Sequence, residues 1–178
     1  MSRATFGAVN GGGFTQETYL TPPHILRPLG EFDLDPCAAP SPRPWPTAAR
    51  HIELPEDGFA AKWEGRVWMN PPYGSEMGRW LAKLADHGNG IALIFARTET
   101  AMFHESVWAK AHGLLFLRGR LAFCDRKGKP VGSAGAPSVL VAYGASNADA
   151  LASCELPGRF IRLEPDASTP TGLFTEAA

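Results

Sequence analysis

The run Gly90-Ile91-Ala92-Leu93-Ile94-Phe95-Ala96 limits the folds open to this chain more than any other stretch. It is continuously apolar, bounded by glycine and free of polar alternation. That pattern belongs to a strand buried on both faces, the kind found in parallel sheets with helices on either side. Its neighbours fit that setting. Met77, Trp80, Leu81, Leu84 and Ala85 fall at i, i+3, i+4, i+7 and i+8, which predicts an amphipathic helix, with Ser75 as its N-cap. A second helix is expected from about Glu99 to Ala111. Shorter strands are predicted at Phe32 to Asp35 (stopped by Pro36), Arg50 to Leu54 and Arg66 to Met69. Further strands are expected at Leu114 to Leu117, Arg120 to Cys124 and Ser138 to Tyr143, with a short segment at Phe160 to Leu163. Near the start, Thr21 is a plausible N-cap with Pro22 at the first helical position, followed by apolar Ile25, Leu26 and Leu29 and a stop at Gly30. Residues 40–47 carry proline at every second position from Pro40 to Pro46, so no helix forms there and the loop is extended and stiff.

Strands alternate with helices for two-thirds of the chain, and strand-turn-strand follows around Asp125 to Lys129. The pattern predicts an open α/β sheet, mainly parallel, with an antiparallel hairpin near its C-terminal edge. With 178 residues, 44% of them hydrophobic, one domain is expected over 17–165. A flexible glycine-rich segment would precede it at 1–16 and a polar tail would follow at 166–178.

The formal net charge is −1, so no global basic field points to nucleic acid, and any such contact must come from a local patch. No stretch is long and apolar enough to span a membrane, and the N-terminus has no signal-peptide core, so a cytoplasmic protein is expected. Cys37, Cys124 and Cys154 form neither a CxxC pair nor a disulfide framework. The histidines show no HxxxH or HxH pair, so no metal is expected.

Open α/β sheets bind ligands at the carboxyl ends of their strands. Asp33, Asp35, Pro36 and Cys37 close the first strand, Asn70-Pro71-Pro72-Tyr73 follows the third, and Arg97-Thr98 follows the apolar fourth. Asp57-Gly58 lies in the loop before the third strand. Acidic groups there suit a ligand with hydroxyls and an amino group. The chain has neither GxxxxGK[ST] nor GxGxxG, so a phosphate cradle is excluded. Asn70 can accept through its carbonyl oxygen and donate through its NH2. The two prolines fix φ and lack N–H groups, and Tyr73 offers a flat face. Together these parts can hold a planar ring bearing an exocyclic amine.

These motifs resemble the phage-type DNA adenine-N6 methyltransferase (Dam-like) family, within the S-adenosylmethionine-dependent amino methyltransferases. The resemblance rests on Thr21-Pro22-Pro23, on Phe32-Asp33-Leu34-Asp35-Pro36-Cys37-Ala38, and on Trp63, Gly65 and Trp68 leading into Asn70-Pro71-Pro72-Tyr73-Gly74. Ile94 to Arg97 and Gly119 to Phe123 agree with the later part, and the similarity spans roughly residues 17–144. It implies a Rossmann-like fold and methyl transfer from S-adenosylmethionine to the N6 amine of adenine in double-stranded DNA. Thr21, Asp33, Asp35, Pro36 and Cys37 would line the methionine end of that cofactor, Asp57 would sit beside its adenine, and Asn70 would face it. Asn70 and the Pro71 carbonyl would accept from the target amine, with Pro72 and Tyr73 completing the catalytic motif and Tyr73 stacking on a flipped base. One departure is the glycine-poor turn Pro36-Cys37-Ala38-Ala39-Pro40. Another is the second strand, where Glu53 is the candidate acid. DNA contact would fall to Arg97 and to the basic segment holding Arg118, Arg120, Arg126, Lys127 and Lys129 against Asp125.

Other readings stay in view. The clamp also suits the amine of cytosine or a glutamine side chain, and an inactive DNA-binding remnant is the alternative outside enzymes. A nucleophilic Cys37 is rejected, because a thiolate would have to stand by the target base. Trp80, Leu81 and Leu84 read as core, and His104 and His112 as structural or exposed.

Overall fold

The central strands of the fold are its buried apolar runs. The computed structural model describes residues 19–165, and the segments predicted at 1–16 and 166–178 lie outside them. The strands are β1 (Leu34–Asp35), β2 (Arg50–His51), β3 (Val67–Met69), β4 (Gly90–Phe95), β5 (Gly113–Leu117), β6 (Ala122–Cys124), β7 (Pro130–Ser133), β8 (Ser138–Tyr143) and β9 (Gly158–Arg162). Seven of them form one sheet in the order β2-β1-β3-β4-β8-β5-β9. The half from β2 to β4 is parallel, with Leu34 opposite Val67 and Val67 opposite Gly90. β8 then enters antiparallel between β4 and β5, and β9 closes the edge antiparallel to β5. The fold is therefore mixed α/β.

Each face of the sheet is covered. Val67, Met69, Ala92, Ile94, Val139 and Val141 pack with Leu81 and Leu84 of α2 (Met77–His87) and with Phe103 and Val107. On the other face, Trp68, Ile91, Leu93, Leu140 and Ala142 pack with Ile25, Leu26 and Leu29, and with Ala148 and Leu151 of a late helix (Ala145–Ser153). Fully burying a leucine such as Leu84 contributes about 1.5–3 kcal/mol. α2 stops where Gly88 takes φ +72°, and the Gly88 N–H donates to the Leu84 carbonyl at 2.9 Å.

Several expectations need correction. Ser138 to Tyr143 is not the return arm of the basic hairpin. Its six residues are all buried and lie in mid-sheet, whereas β6 pairs with the wholly exposed β7 in a separate two-stranded ribbon. Its backbone pairs antiparallel with β4 on one edge and β5 on the other. The first helix, α1 (Pro23–Leu26), continues as a tighter turn over Arg27–Leu29, and its N-cap is Pro22, one residue later than expected. Thr21 therefore does not cap it. α2 likewise begins after Glu76 with no side-chain cap from Ser75. The helix expected over Glu99 to Ala111 narrows to a π-helical segment, Phe103–Trp108, in which the Ala109 N–H reaches back to the His104 carbonyl at 3.2 Å. This wider turn brings the Phe103 and Trp108 rings to 5.1 Å. The first strand shrinks to Leu34–Asp35 and the second to Arg50–His51.

Candidate active site

β1, β3, β4 and β5 all point the same way, so Asp35, Asn70, Arg97 and Arg118 emerge at one end of the sheet. β1 and β3 are immediate neighbours, which sets the Asp35 turn beside the Asn70 loop. Asp35 is only 4% exposed. Its Oδ1 accepts from the Cys37 N–H at 3.1 Å, and its Oδ2 accepts from the Thr47 hydroxyl. Burial pushes the carboxyl up to about 6, against the opposing pull of Thr47, the Cys37 N–H and Arg43. The stiff proline loop, which follows Asp35 in sequence, thus ends back on that acid. The His51 Nε2 accepts from the Thr47 N–H at 3.1 Å and holds that loop end in place.

Cys37 bridges the two strand ends. Burial, and then the Asp35 charge, push its thiol well up, while an N–H of the Asn70 backbone faces its sulfur. A thiol held protonated is no nucleophile. Asn70 is half-buried, and its Oδ1 is shut away from solvent with no hydrogen-bond partner among the described residues. Pro71 is buried and Pro72 exposed. The Tyr73 ring stacks on Phe95 at 4.3 Å and 26°. Although 39% of that tyrosine is exposed, desolvation at its hydroxyl end raises the phenol above its ordinary range, with Cys37 adding to the effect. One face of the ring is therefore already taken.

Thr21 is buried, and its hydroxyl also lacks a partner among the described residues. Its carbonyl accepts from the Trp45 indole N–H at 3.0 Å. Gly58 lies so close to Pro36 that a Cβ would stand 1.7 Å from the Pro36 carbonyl oxygen, so only glycine fits. That contact sets the Asp57 loop against the end of β1. The Asp57 Oδ1 accepts from the N–H groups of Phe59 and Ala60 at 2.8 and 3.2 Å and shapes the turn. Asp33 is not brought to this cluster. It is exposed, and its Oδ2 accepts from the Arg66 N–H at 2.6 Å before the start of β3. There it clamps β1 to the chain entering β3. An open concavity of about 360 Å³ beside it is lined by Asp33, Leu34, Arg50, Glu64 and Gly65, apart from the strand ends that carry Asn70. Glu53 is tied to Arg43 at 2.5 Å.

The basic residues Arg118, Arg120, Arg126, Lys127 and Lys129 are all exposed. The Asp125 Oδ1 accepts from the Lys127 and Lys129 N–H groups at 2.8 and 2.9 Å, so the one acid builds the turn of the ribbon. The ribbon is fastened to the site wall. Leu20 and Cys124 exchange backbone hydrogen bonds at 2.8 and 2.9 Å, and Arg126 donates to the Ser41 carbonyl at 3.3 Å.

A family model described as DNA N-6-adenine-methyltransferase (Dam) matches residues 17–152. The chain belongs to this family. The match takes in every candidate residue from Thr21 to Lys129. No curated protein and no solved structure matches the chain. The family description makes DNA the substrate class and an adenine amine the methylated group. Among the described residues, no helix is long and apolar enough to cross a membrane, and no cluster of three or more metal-ligating side chains occurs. Two residues of the candidate site were given no role from the sequence alone. Thr47 holds Asp35, and Phe95 backs Tyr73. Only the position of Phe95 at the end of the apolar strand, two residues before Arg97, signals its part.

Proposed function

We propose that this chain transfers a methyl group from S-adenosylmethionine to the N6 amine of an adenine turned out of duplex DNA. The observation that carries the proposal is the Asn70 Oδ1, a buried acceptor at the end of β3 with no hydrogen-bond partner among the described residues. Leaving a buried acceptor unpaired costs about 1–3 kcal/mol. An amine N–H that docks there removes that cost.

The residues fit the cofactor. The hydroxyl of buried Thr21 also has no partner among the described residues, the Asp35 carboxylate is buried, and the Pro36–Gly58 contact shapes a close-walled turn. Thr21, Asp35, Pro36, Cys37, Asp57 and Asn70 would hold the ligand, and Asp33 would act on it only through the strand it clamps. When bound, S-adenosylmethionine supplies an electrophilic methyl group on a positively charged sulfur.

The chain's own residues prepare the amine. Asn70 Oδ1 and the Pro71 carbonyl accept its two N–H groups, which directs the nitrogen lone pair away from the acceptors. Tyr73, backed by Phe95, offers its remaining face to the flipped base. Pro71 and Pro72 limit backbone motion, so the acceptors are in place before the base arrives. Asn70 has no basic group, and the proton released after transfer leaves to water. No covalent enzyme intermediate is required. The exposed basic residues and Arg97 would contact phosphates.

Asn70→Ala tests this reading. Methyl transfer should fall by about a hundred- to a thousandfold, the size of effect seen when a positioned polar group is lost from an active site. The dissociation constant of S-adenosylmethionine, read by calorimetry, should change little. Turnover at the wild-type rate would refute the mechanism.

A further inference from the structure

A groove of about 360 Å³ runs between the start of α2 and the loop after β4. Its walls carry Gly74, Met77, Gly78, Arg97, Thr100 and Met102. It opens where the Asn70–Tyr73 loop ends, because Gly74 directly follows Tyr73 and the Tyr73–Phe95 stack at 4.3 Å joins its two walls. Arg97 follows Phe95 by two residues. Its guanidinium is exposed and makes no hydrogen bond or ion pair among the described residues. Its backbone is fixed, since the Thr100 hydroxyl donates to the Arg97 carbonyl at 2.8 Å. At the start of α2 the Glu76 carboxylate pairs with Arg79 at 2.5 Å. The lining is mostly apolar, and the two methionines give it soft, polarizable surface.

We propose that this groove holds the nucleotide adjacent to the target adenine, with Arg97 on its phosphate and its base over Met77 and Met102. The inference rests on the DNA-methyltransferase reading and adds a subsite to it. A guanidinium that is unpaired among the described residues, on an anchored backbone, matches a phosphate. The groove's volume lies in the range of about 300–1,000 Å³ that holds small ligands. A base resting on thioethers makes no hydrogen bond through its edges. The subsite therefore positions the strand beside the clamp without selecting sequence.

The test uses a duplex that the wild-type protein methylates and versions with one neutral methylphosphonate on either side of the target. At one flanking position the substitution should lower wild-type kcat/KM about tenfold. Arg97→Ala should start about tenfold lower and lose nothing further there, as expected when two changes remove one contact. Equal losses in both proteins, or no positional loss in the wild type, overturn the proposal. Gly78→Leu provides a second arm. A Cβ there meets the Met102 Cγ at 3.6 Å, ordinary contact, and the longer side chain would extend into the groove, with an unchanged circular dichroism spectrum showing that the variant folds. KM for DNA should rise several-fold, by about the effect of losing one stacked base, with S-adenosylmethionine affinity unchanged. An unaltered KM means the groove is empty in the complex. If the wild type methylates no duplex, the broader reading fails first, and it takes the subsite with it.

Discussion

Asp35→Asn should stabilise this protein near neutral pH while weakening its grip on the cofactor. Burial raises the Asp35 carboxyl from 3.8 to about 6 in the folded chain, which corresponds to about 3 kcal/mol against the ionised form. The sign follows from proton binding. Below about pH 4 the carboxyl is protonated in both states, and nothing is lost. Between pH 4 and 6 the unfolded chain gives up its proton first, so stability drains away as pH rises through this window, and the whole penalty stands above it. Asparagine has no charge to bury. It loses one acceptor for Thr47 or the Cys37 N–H, which takes back about 1 kcal/mol. The variant should therefore be about 2 kcal/mol more stable than wild type at pH 7.5 and about 1 kcal/mol less stable at pH 4. Urea unfolding of both proteins at half-unit steps from pH 4 to 8 gives the difference directly, and titrations shared by both cancel. A difference that stays constant across this range would refute the reasoning. Calorimetry supplies the other half. Wild-type affinity for S-adenosylmethionine should increase as pH rises through about 6, and the variant should bind weakly and without that pH dependence.

Replacing Arg126, Lys127 and Lys129 together by alanine should reduce the salt slope of DNA binding by about 2.7, at about 0.9 per phosphate contact. An unchanged slope in filter-binding or anisotropy titrations removes the ribbon from the DNA surface. Gly58→Ala should force the Asp57 loop off the Pro36 carbonyl, which a Cβ would approach to 1.7 Å. The expected outcome is a rise of about tenfold or more in the S-adenosylmethionine dissociation constant, equal to about 1.4 kcal/mol, and unaltered affinity would detach that loop from the cofactor site.

The parts of the fold that were legible in the sequence are those coded by local patterns. Gly90 to Phe95 had to be a buried strand because nothing in it is polar, and Met77 to His87 had to be a helix because its apolar residues recur at helical spacing. The strand ends carried Asp35 and Asn70 because proline follows each of them. What escaped depends on contacts between distant segments. The placement of β8 between β4 and β5 rests on its pairing with both, which a short apolar run does not reveal. The helix Ala145–Ser153 buries Asn147, whose amide donates to the Tyr143 carbonyl at 2.8 Å and accepts from Arg66 Nε at 2.6 Å. A polar residue inside a small-residue stretch gives no amphipathic signal. Asp33 and Asp35 look equivalent along the chain, yet one fastens Arg66 and the other is buried by Thr47. Only the neighbouring segments separate their roles.

The central claim is a methyl group placed on adenine N6 by the Asn70 clamp. Incubation of the protein with methyl-labelled S-adenosylmethionine and duplex DNA, followed by nucleoside analysis, tests it most directly. The account predicts label in N6-methyl-2′-deoxyadenosine with the wild type and at most about a hundredth of it with Asn70→Ala. Label in methylcytosine or on protein, or no label at all with wild type, would contradict it.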